Sequence, residues 1–206
     1  MTARPPDPPP DPAGAVTALV QVALAGHVGP GPFVLGIDGR SGSGKSELAR
    51  GVAARLAEVL EVAQAGGGVT TLALEDFYRG WNGLREGLEV VAAGILAPLT
   101  RGRHGRAVRY DWVTGALDGE LLVPAPGAPM PRVLVVEGCG AGSLVCAPFL
   151  DLLVWFDAPE RVRRHRALTR DDGGWAHLWE AWAAQEQALL DERDARVAAD
   201  LVLRTG

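Results

Sequence analysis

The most informative stretch of this 206-residue chain reads Gly39-Arg40-Ser41-Gly42-Ser43-Gly44-Lys45-Ser46. It matches the pattern GxxxxGK[ST], in which glycines let the backbone wrap closely around phosphate oxygens and the N–H groups point inward as an anion nest. Lys45 is the only lysine in the chain, and every other one of the 20 basic side chains is an arginine. The pattern therefore predicts a loop that binds the phosphates of a nucleotide.

The flanks of this loop support the prediction. The apolar run Phe33-Val34-Leu35-Gly36-Ile37 is typical of a buried strand. Apolar residues then recur at helical spacing after the loop, at Leu48, Val52, Leu56, Val59 and Leu60. A Gly/Ser linker with an accidental lysine would not have such flanks. We expect residues 39–47, including Glu47, to bind ATP, with Lys45 reaching the β- and γ-phosphates and Ser46 binding Mg²⁺.

The remaining pattern alternates short apolar runs with helical segments. Strands are predicted over 33–38, 69–74, 133–136, 152–156 and 201–203. Helices are predicted over 13–28, from the phosphate loop to about residue 63, near 86–97, over 160–169 and over 175–192. Continuous apolar strands that alternate with helices favour an α/β fold of the P-loop NTPase type, a three-layer α/β/α sandwich with a mainly parallel sheet and a small helical lid. Ligands should bind beyond the carboxyl ends of the strands.

This alternation predicts one domain over residues 13–206. Residues 79–130 are rich in Gly and Pro and weakly periodic, so we expect an acceptor-side insertion there, and a lid over 160–175. The Pro/Asp-rich residues 1–12 are expected to be a disordered tail, and their prolines and aspartates do not fit a signal peptide.

Composition narrows the classes of function. Apolar residues make up 48% of the chain, which indicates a globular protein, and the net charge of −5 argues against general binding to nucleic acid or to an anionic membrane. No apolar stretch approaches the roughly 20 residues of a membrane span. Cys139 and Cys146 lack metal-ligand spacing and are expected to be free thiols, so a cytoplasmic location is the default expectation.

Acidic residues stand at the predicted strand ends. Glu75 and Asp76 leave a buried strand beside two aromatic residues, and a kinase needs a carboxylate that orients its acceptor hydroxyl and takes the proton. Glu137 ends another apolar strand and is predicted to hold Mg²⁺ together with Ser46. The alternatives are a polar turn at 75–76 and a structural role for Glu137.

Residues 161–171 carry five arginines. Arg163, Arg166 and Arg170 fall on roughly one helical face, and a guanidinium can neutralise charge on a transferring phosphoryl group. Arg166 and Arg170 are the predicted catalytic pair, since they lie nearest the break at 171–174. A solvated charged helix is the alternative.

The candidate acceptor site combines polar and aromatic side chains. Arg109 and Asp111 are expected to grip a hydroxylated acceptor while Tyr110 or Trp112 stacks on it. Three further residues complete the predicted substrate-binding set: Asp38, Tyr78 and Trp81. Trp175, Trp179 and Trp182 lie at helical spacing, which favours core packing over a base-stacking platform.

The chain resembles the uridine kinase/phosphoribulokinase-like branch of P-loop small-molecule kinases. The matching stretches lie between residues 33 and 171: Gly36 to Ser46, Glu75-Asp76-Phe77-Tyr78, Tyr110-Asp111-Trp112, Val135-Val136-Glu137-Gly138, and Arg163 to Asp171. The resemblance implies ATP-dependent phosphorylation of a hydroxyl on a nucleoside, sugar or vitamin-like acceptor. At the position of Glu75 the branch usually has an aspartate that acts as general base, so Glu75 is one methylene longer here, and Asp76 could share the role.

Two other functions remain open at this stage. One is a nucleotide-dependent switch whose NTPase activity acts on a protein partner. The other is a nucleoside monophosphate kinase, in which Arg103, Arg106 and Arg109 would bind the acceptor phosphate. The expected partner is a small-molecule acceptor, and the tryptophan-rich helix leaves both a monomer and a homodimer open.

Overall fold

The computed structural model describes residues 11–62, 67–170 and 174–205. Residues 1–10 of the predicted tail therefore lie outside the described residues, as do residues 171–173 of the predicted break at 171–174. The side chain of Arg170 is likewise outside the described part of the chain.

Five strands form one parallel sheet, and two more form a separate antiparallel hairpin. In chain order the strands are β1 (Phe33–Asp38), β2 (Val69–Ala73), β3 (Gly105–Asp111), β4 (Ala116–Val123), β5 (Val133–Glu137), β6 (Leu152–Asp157) and β7 (Leu201–Arg204). The sheet has the order β2-β5-β1-β6-β7, so β1 is central. The hairpin pairs β3 with β4.

Helices cover both faces of this sheet. They are α1 (Pro12–Ala25), α2 (Lys45–Val62), α3 (Leu84–Val91), the single turn α4 (Ala97–Leu99), α5 (Glu160–Arg170) and α6 (Trp179–Glu192). One apolar core lies between the sheet and α1 with α2, and a second lies between the sheet and α3 with α6. The three-layer α/β/α fold predicted from the sequence is therefore confirmed.

The central strand shows why these segments form a buried sheet. Every residue of β1 and of β5 is buried. Val34 contributes to the core beneath α3 and α6, whereas its neighbour Leu35 contributes to the core beneath α1 and α2. Successive side chains of a strand point to opposite faces, so an uninterrupted apolar run is required where both faces are covered.

The insertion at 79–130 has more regular structure than the sequence indicated. The helix expected near 86–97 runs as α3, then a π-helical turn over Ala92–Leu96, then α4. The β3–β4 hairpin was missed, because most of its residues are exposed and only Gly105, Ala107 and Val123 within it are buried. Half-solvated strands carry few apolar residues, which leaves little periodic signal.

Other boundaries shift by a few residues. The helix predicted to Val28 ends at Ala25, because Gly26 caps it with bonds back to the carbonyls of Ala23 and Leu24. The helix predicted from Trp175 starts as a 3₁₀ turn, and α6 begins at Trp179. Cys139 and Cys146 are buried free thiols, as predicted. Within the described ranges no helix is both long and apolar enough to cross a bilayer.

The central position of β1 predicts a large effect of truncating Leu35, which is fully buried. We expect Leu35→Ala to lower the free energy of unfolding by about 3 kcal/mol, because it removes buried methyl groups and leaves a cavity. Urea denaturation measures this change. Leu144→Ala is the matched control, since Leu144 is 57% exposed and should cost less than about 0.5 kcal/mol. Equal losses in both variants would contradict this account of the core.

Candidate active site

The loop from Gly39 to Ser46 connects β1 to α2. Its geometry requires glycine at two positions, since Gly42 has φ +78° and Gly44 has φ +96°. A Cβ atom on Gly42 would lie 2.1 Å from the carbonyl oxygen of Arg163 in α5. The loop therefore wraps tightly at the start of an 18-residue helix, which is the arrangement that makes a helix N-terminus an anion site.

Lys45 is half-buried at the first turn of α2 and lies among acidic groups. Burial disfavours its ammonium form, but Cys139, Glu137 and Glu186 favour it, and the pKa of Lys45 is raised above its ordinary value. Burial also raises the pKa of the Cys139 thiol to about 12, so that thiol is neutral at pH 7. Glu137 and Glu186 are then the acidic side chains that favour the ammonium form of Lys45.

Ser46 and Glu137 form the pair of oxygen groups that the sequence predicts for Mg²⁺. The Ser46 Oγ donates a hydrogen bond of 3.0 Å to Glu137 Oε2. Burial raises the pKa of Glu137, while Lys45 and the Ser46 bond lower it. A hydroxyl and a carboxylate at the edge of the nest are ligands that fit Mg²⁺, which takes few protein oxygens and completes its shell with phosphates and water.

An open cavity of about 790 Å³ adjoins this loop. Six of the residues predicted to bind the nucleotide or the metal line this cavity: Ser41, Gly42, Gly44, Lys45, Ser46 and Glu137. Four others stay outside its wall: Gly39, Arg40, Ser43 and Glu47. Arg40 instead donates a hydrogen bond from Nη2 to Oε1 of Gln187 in α6.

Glu75 and Asp76 lie on a 3₁₀ turn that follows β2. Glu75 lines the cavity, and its backbone carbonyl accepts a 3.0 Å hydrogen bond from Nε1 of Trp112. Asp76 is not part of the lining, and its Oδ2 lies 3.5 Å from Nε of Arg109. The sequence left both residues open as the base, but in the structure only Glu75 lines the cavity, whereas Asp76 pairs with Arg109.

Arg166 reaches the loop from α5. Its Nη1 lies 3.5 Å from the carbonyl oxygen of Ser43 and 3.3 Å from Oγ1 of Thr205, and the side chain lines the cavity. Arg163 on the same helix is buried and donates from Nη1 to the carbonyl of Ser41 at 3.3 Å. Arg163 therefore supports the loop backbone, while Arg166 faces the cavity.

Asp38, predicted to bind substrate, is placed in a backbone network instead. Its Oδ1 accepts bonds from the N–H groups of Gly39 (2.6 Å) and Gly140 (2.9 Å), and its Oδ2 accepts one from Gly142 (2.8 Å). Burial raises the pKa of Asp38, and the three amide donors oppose that shift. The carboxylate ties the end of β1 to the loop after β5.

The predicted acceptor residues divide into two groups. Tyr78, Trp81 and Trp112 line the cavity. Arg109, Tyr110 and Asp111 do not. Arg109 engages Asp76, and Oδ1 of Asp111 accepts from the N–H groups of residues 113 and 114, which lowers the pKa of Asp111 and closes the hairpin turn. The ring of Tyr110 packs edge-on against Trp112, at 5.3 Å between centroids.

A set of residues on α6 was not predicted from the sequence. Glu186 is buried, and its Oε1 accepts from the Ser41 N–H at 2.8 Å, from Nε1 of Trp182 at 3.1 Å and from the Cys139 thiol at 3.2 Å. Nε1 of Trp182 also donates to Ser41 Oγ at 2.8 Å. The only sequence signal was the spacing of Trp182 and Glu186, which places them on one face of α6.

Solved structures share this fold along most of the chain. No protein-family profile matches the chain, and no curated protein sequence does. A structure described as that of a possible uridine kinase from Bacillus stearothermophilus gives a TM-score of 0.62 at 19% identity, covering 94% of this chain and 97% of that chain. A candidate fructose transport system kinase from Silicibacter sp. TM1040 gives 0.60 at 21% identity, covering 92% and 98%.

A third similar structure is D-glycerate 3-kinase from Cryptococcus neoformans var. grubii, with a TM-score of 0.52 at 14% identity over 86% of each chain. At such identities the likeness concerns the fold. The fold of this chain is that of the P-loop kinases that its sequence resembles.

Asp38 gives a prediction that separates an architectural role from contact with substrate. In Asp38→Asn an NH₂ group must face at least one of the three backbone donors, so we expect the free energy of unfolding to fall by about 2 kcal/mol. Chemical denaturation measures the change. Asp157→Asn, at the end of the neighbouring strand β6, is the control and should cost less than about 0.5 kcal/mol. Unchanged stability with a raised KM for acceptor would instead indicate a substrate contact.

Glu186 gives a second prediction. Glu186→Ala leaves the Ser41 amide, the Trp182 indole N–H and the Cys139 thiol without their shared acceptor, and we expect a loss of about 3 kcal/mol of unfolding free energy. Glu186→Gln retains an oxygen and should lose about 1 kcal/mol. Thermal and urea unfolding test both variants. Glu180→Ala on the same helix is the control, because the Glu180 side chain is 81% exposed. A Glu186→Ala protein as stable as this control would refute the assigned role.

Proposed function

We propose that this protein is a kinase that transfers the γ-phosphoryl group of Mg·ATP to a hydroxyl group of a small molecule. One observation carries the proposal. Lys45, the bonded pair Ser46–Glu137 and the carboxylate-bearing residue Glu75 all line one cavity. A phosphate nest, a magnesium pair and a candidate base are the parts that phosphoryl transfer to an alcohol requires.

In this proposal the nest and Lys45 bind the triphosphate. Backbone N–H groups and the ammonium supply positive charge where phosphate oxygens lie, and Arg166 adds a guanidinium from α5. Ser46 and Glu137 would hold Mg²⁺, which supplies charge neutralisation for the β- and γ-phosphates when bound. These groups act mainly by positioning and by electrostatic stabilisation.

Glu75 is the proposed base. Its carboxylate accepts the proton of the acceptor hydroxyl as the acceptor oxygen forms a bond to the γ-phosphorus. The bond between that phosphorus and the β,γ-bridging oxygen breaks, so that ADP leaves and the acceptor becomes a phosphate monoester. Asp76 is the weaker candidate, because it engages Arg109 away from the cavity.

The similar structures support this direction. They are described as a possible uridine kinase, a candidate fructose transport system kinase and a D-glycerate 3-kinase. Uridine and D-glycerate both carry hydroxyl groups. The monophosphate kinase alternative gains no such support. Arg109 faces Asp76, Arg106 lies 3.9 Å from Glu120, and neither these two nor Arg103 is among the described residues that line the cavity.

The test is ADP release from Mg·ATP in the presence and absence of candidate alcohols. We expect saturable, acceptor-dependent ADP release that falls at least about 100-fold in Lys45→Ala, since one lost electrostatic contact to the transferring group costs roughly that much. Arg55→Ala is the basic-residue control, because Arg55 of α2 pairs with Asp11 and does not line the cavity. ADP release that does not depend on any acceptor would favour the switch hypothesis instead.

The two neighbouring carboxylates give a sharper prediction. Glu75→Gln should lower kcat by about 100-fold to 10,000-fold, the range for loss of a general base. Asp76→Asn should lower kcat by less than about tenfold, because it removes only an exposed ion pair with Arg109. Steady-state kinetics with the best acceptor compare the two variants. The reverse order of effects would move the base to Asp76.

A further inference from the structure

Both backbone groups of Ser41, in the phosphate loop, are bonded to residues outside the loop. The Ser41 N–H donates to Oε1 of Glu186 at 2.8 Å, and the Ser41 carbonyl oxygen accepts from Nη1 of Arg163 at 3.3 Å. The side chain is half-buried and lines the cavity together with Lys45. In an anion nest the backbone N–H groups point at the bound phosphate, but the amide of Ser41 is already engaged by a carboxylate.

The hydroxyl of Ser41 is oriented by Trp182. Nε1 of Trp182 donates to Ser41 Oγ at 2.8 Å, and the same N–H also lies 3.1 Å from Oε1 of Glu186. An indole N–H can only donate, so it occupies a lone pair of the Ser41 oxygen and the hydroxyl proton must point elsewhere. The Trp182 ring is buried, which keeps this direction fixed.

The Ser41 proton has only a weak acceptor in the described part of the chain. Sγ of Cys139 lies 3.4 Å from Ser41 Oγ, and the Cys139 thiol itself donates to Glu186, so the sulfur is left to accept. Thiol sulfur is a poor acceptor, whereas a charged oxygen makes a hydrogen bond roughly twice as strong as a neutral one. A phosphate oxygen that reached Ser41 would therefore replace the sulfur as its partner.

Ser41 lies at the end of the triphosphate where the chemistry would take place. The Cys139 sulfur bonds to both the Ser41 hydroxyl and the Lys45 side chain, so these two donors flank one point of the cavity. The lysine of such a loop reaches the β- and γ-phosphates, and Glu75 lines the same cavity. The Ser41 hydroxyl is thus placed beside the group that would be transferred.

We propose that Ser41 is a catalytic residue whose hydroxyl donates to a γ-phosphoryl oxygen in the transition state, and that Trp182 is the positioning residue that aims this hydroxyl. The inference rests on the proposed kinase function and assigns two residues of the same site. A side-chain donor then acts at the loop position where Glu186 binds the backbone amide. No proton is transferred at Ser41, because the hydroxyl only stabilises negative charge on the phosphoryl oxygens as the acceptor attacks.

The test compares Ser41→Ala and Trp182→Phe in the full-length protein, with Mg·ATP and the best alcohol from the ADP-release assay. We expect Ser41→Ala to lower kcat by about 100-fold, the effect of removing one donor from a charge-stabilising site, with little change in either KM. Trp182→Phe keeps an aromatic ring but removes the N–H, and should lower kcat by about tenfold, the effect of losing one hydrogen bond.

Ser143→Ala and Trp155→Phe are the matched controls. Both side chains are buried, and neither lines the cavity, so we expect both variants to keep the kcat of the unaltered protein. Thermal unfolding checks that each variant is folded, and Ser41→Ala alone decides the role of the hydroxyl. A Ser143→Ala protein that loses as much activity as Ser41→Ala would contradict the assignment.

The double variant separates positioning from packing. If Trp182 acts through the Ser41 hydroxyl, Trp182→Phe should lower kcat by less than about twofold once Ser41 is already alanine, because the group that it aims is gone. Losses that multiply in the double variant would show that Trp182 acts independently of Ser41, and would overturn its assigned role.

The outcomes also separate this inference from the proposed function. An unchanged kcat in Ser41→Ala, beside a large loss in Lys45→Ala, would overturn the role of Ser41 and leave the kinase standing. A raised KM for ATP at unchanged kcat would overturn it too, because the hydroxyl would then bind ground state and transition state equally. ADP release by the unaltered protein that does not depend on any acceptor would overturn both proposals together.

Discussion

The site depends on the parallel register of β1 with β5. Ile37 pairs with Glu137, so the two central strands end at the same level and the loop after β1 meets the carboxylate at the end of β5. Ser46 and Glu137 are 91 positions apart in sequence, yet they form a 3.0 Å hydrogen bond. A slip of one residue would turn Glu137 toward the opposite face of the sheet. Asp38 reinforces the register, because it binds amides on both sides of the β1–β5 junction.

The phosphate loop is braced from behind by α6. Glu186 provides one buried carboxylate oxygen for the Ser41 amide, the Trp182 indole and the Cys139 thiol. That same carboxylate favours the charged form of Lys45, which is otherwise opposed by burial. A buried charge persists when it has such partners and is costly when they are removed. The helix that carries the tryptophans thus contributes both to the loop and to the wall of the cavity.

The sequence predicted the elements that are determined by residues close together in the chain. Glycine spacing predicted the loop at residues 39–46, and continuous apolar runs predicted the five strands of the sheet. It did not reveal the backbone role of Asp38, because the amides of Gly140 and Gly142 that bind its carboxylate lie more than 100 positions away in sequence. Glu186 was missed for the same reason. The hairpin was missed because exposed strands need no apolar alternation, so their signal was weak.

The β3–β4 hairpin, which the sequence did not reveal, contacts both candidate base residues. Glu75 and Asp76 lie on a 3₁₀ turn, where successive side chains diverge by about 120°. Arg109 of β3 lies beside Asp76, and Trp112 at the hairpin turn donates to the carbonyl of Glu75. The hairpin therefore distinguishes the two carboxylates and places the ring of Trp112, which lines the cavity, beside the candidate base. The phosphate-loop pattern is contained in one short stretch of sequence, whereas the surroundings of Glu75 and Asp76 depend on contacts between distant segments that no local pattern records.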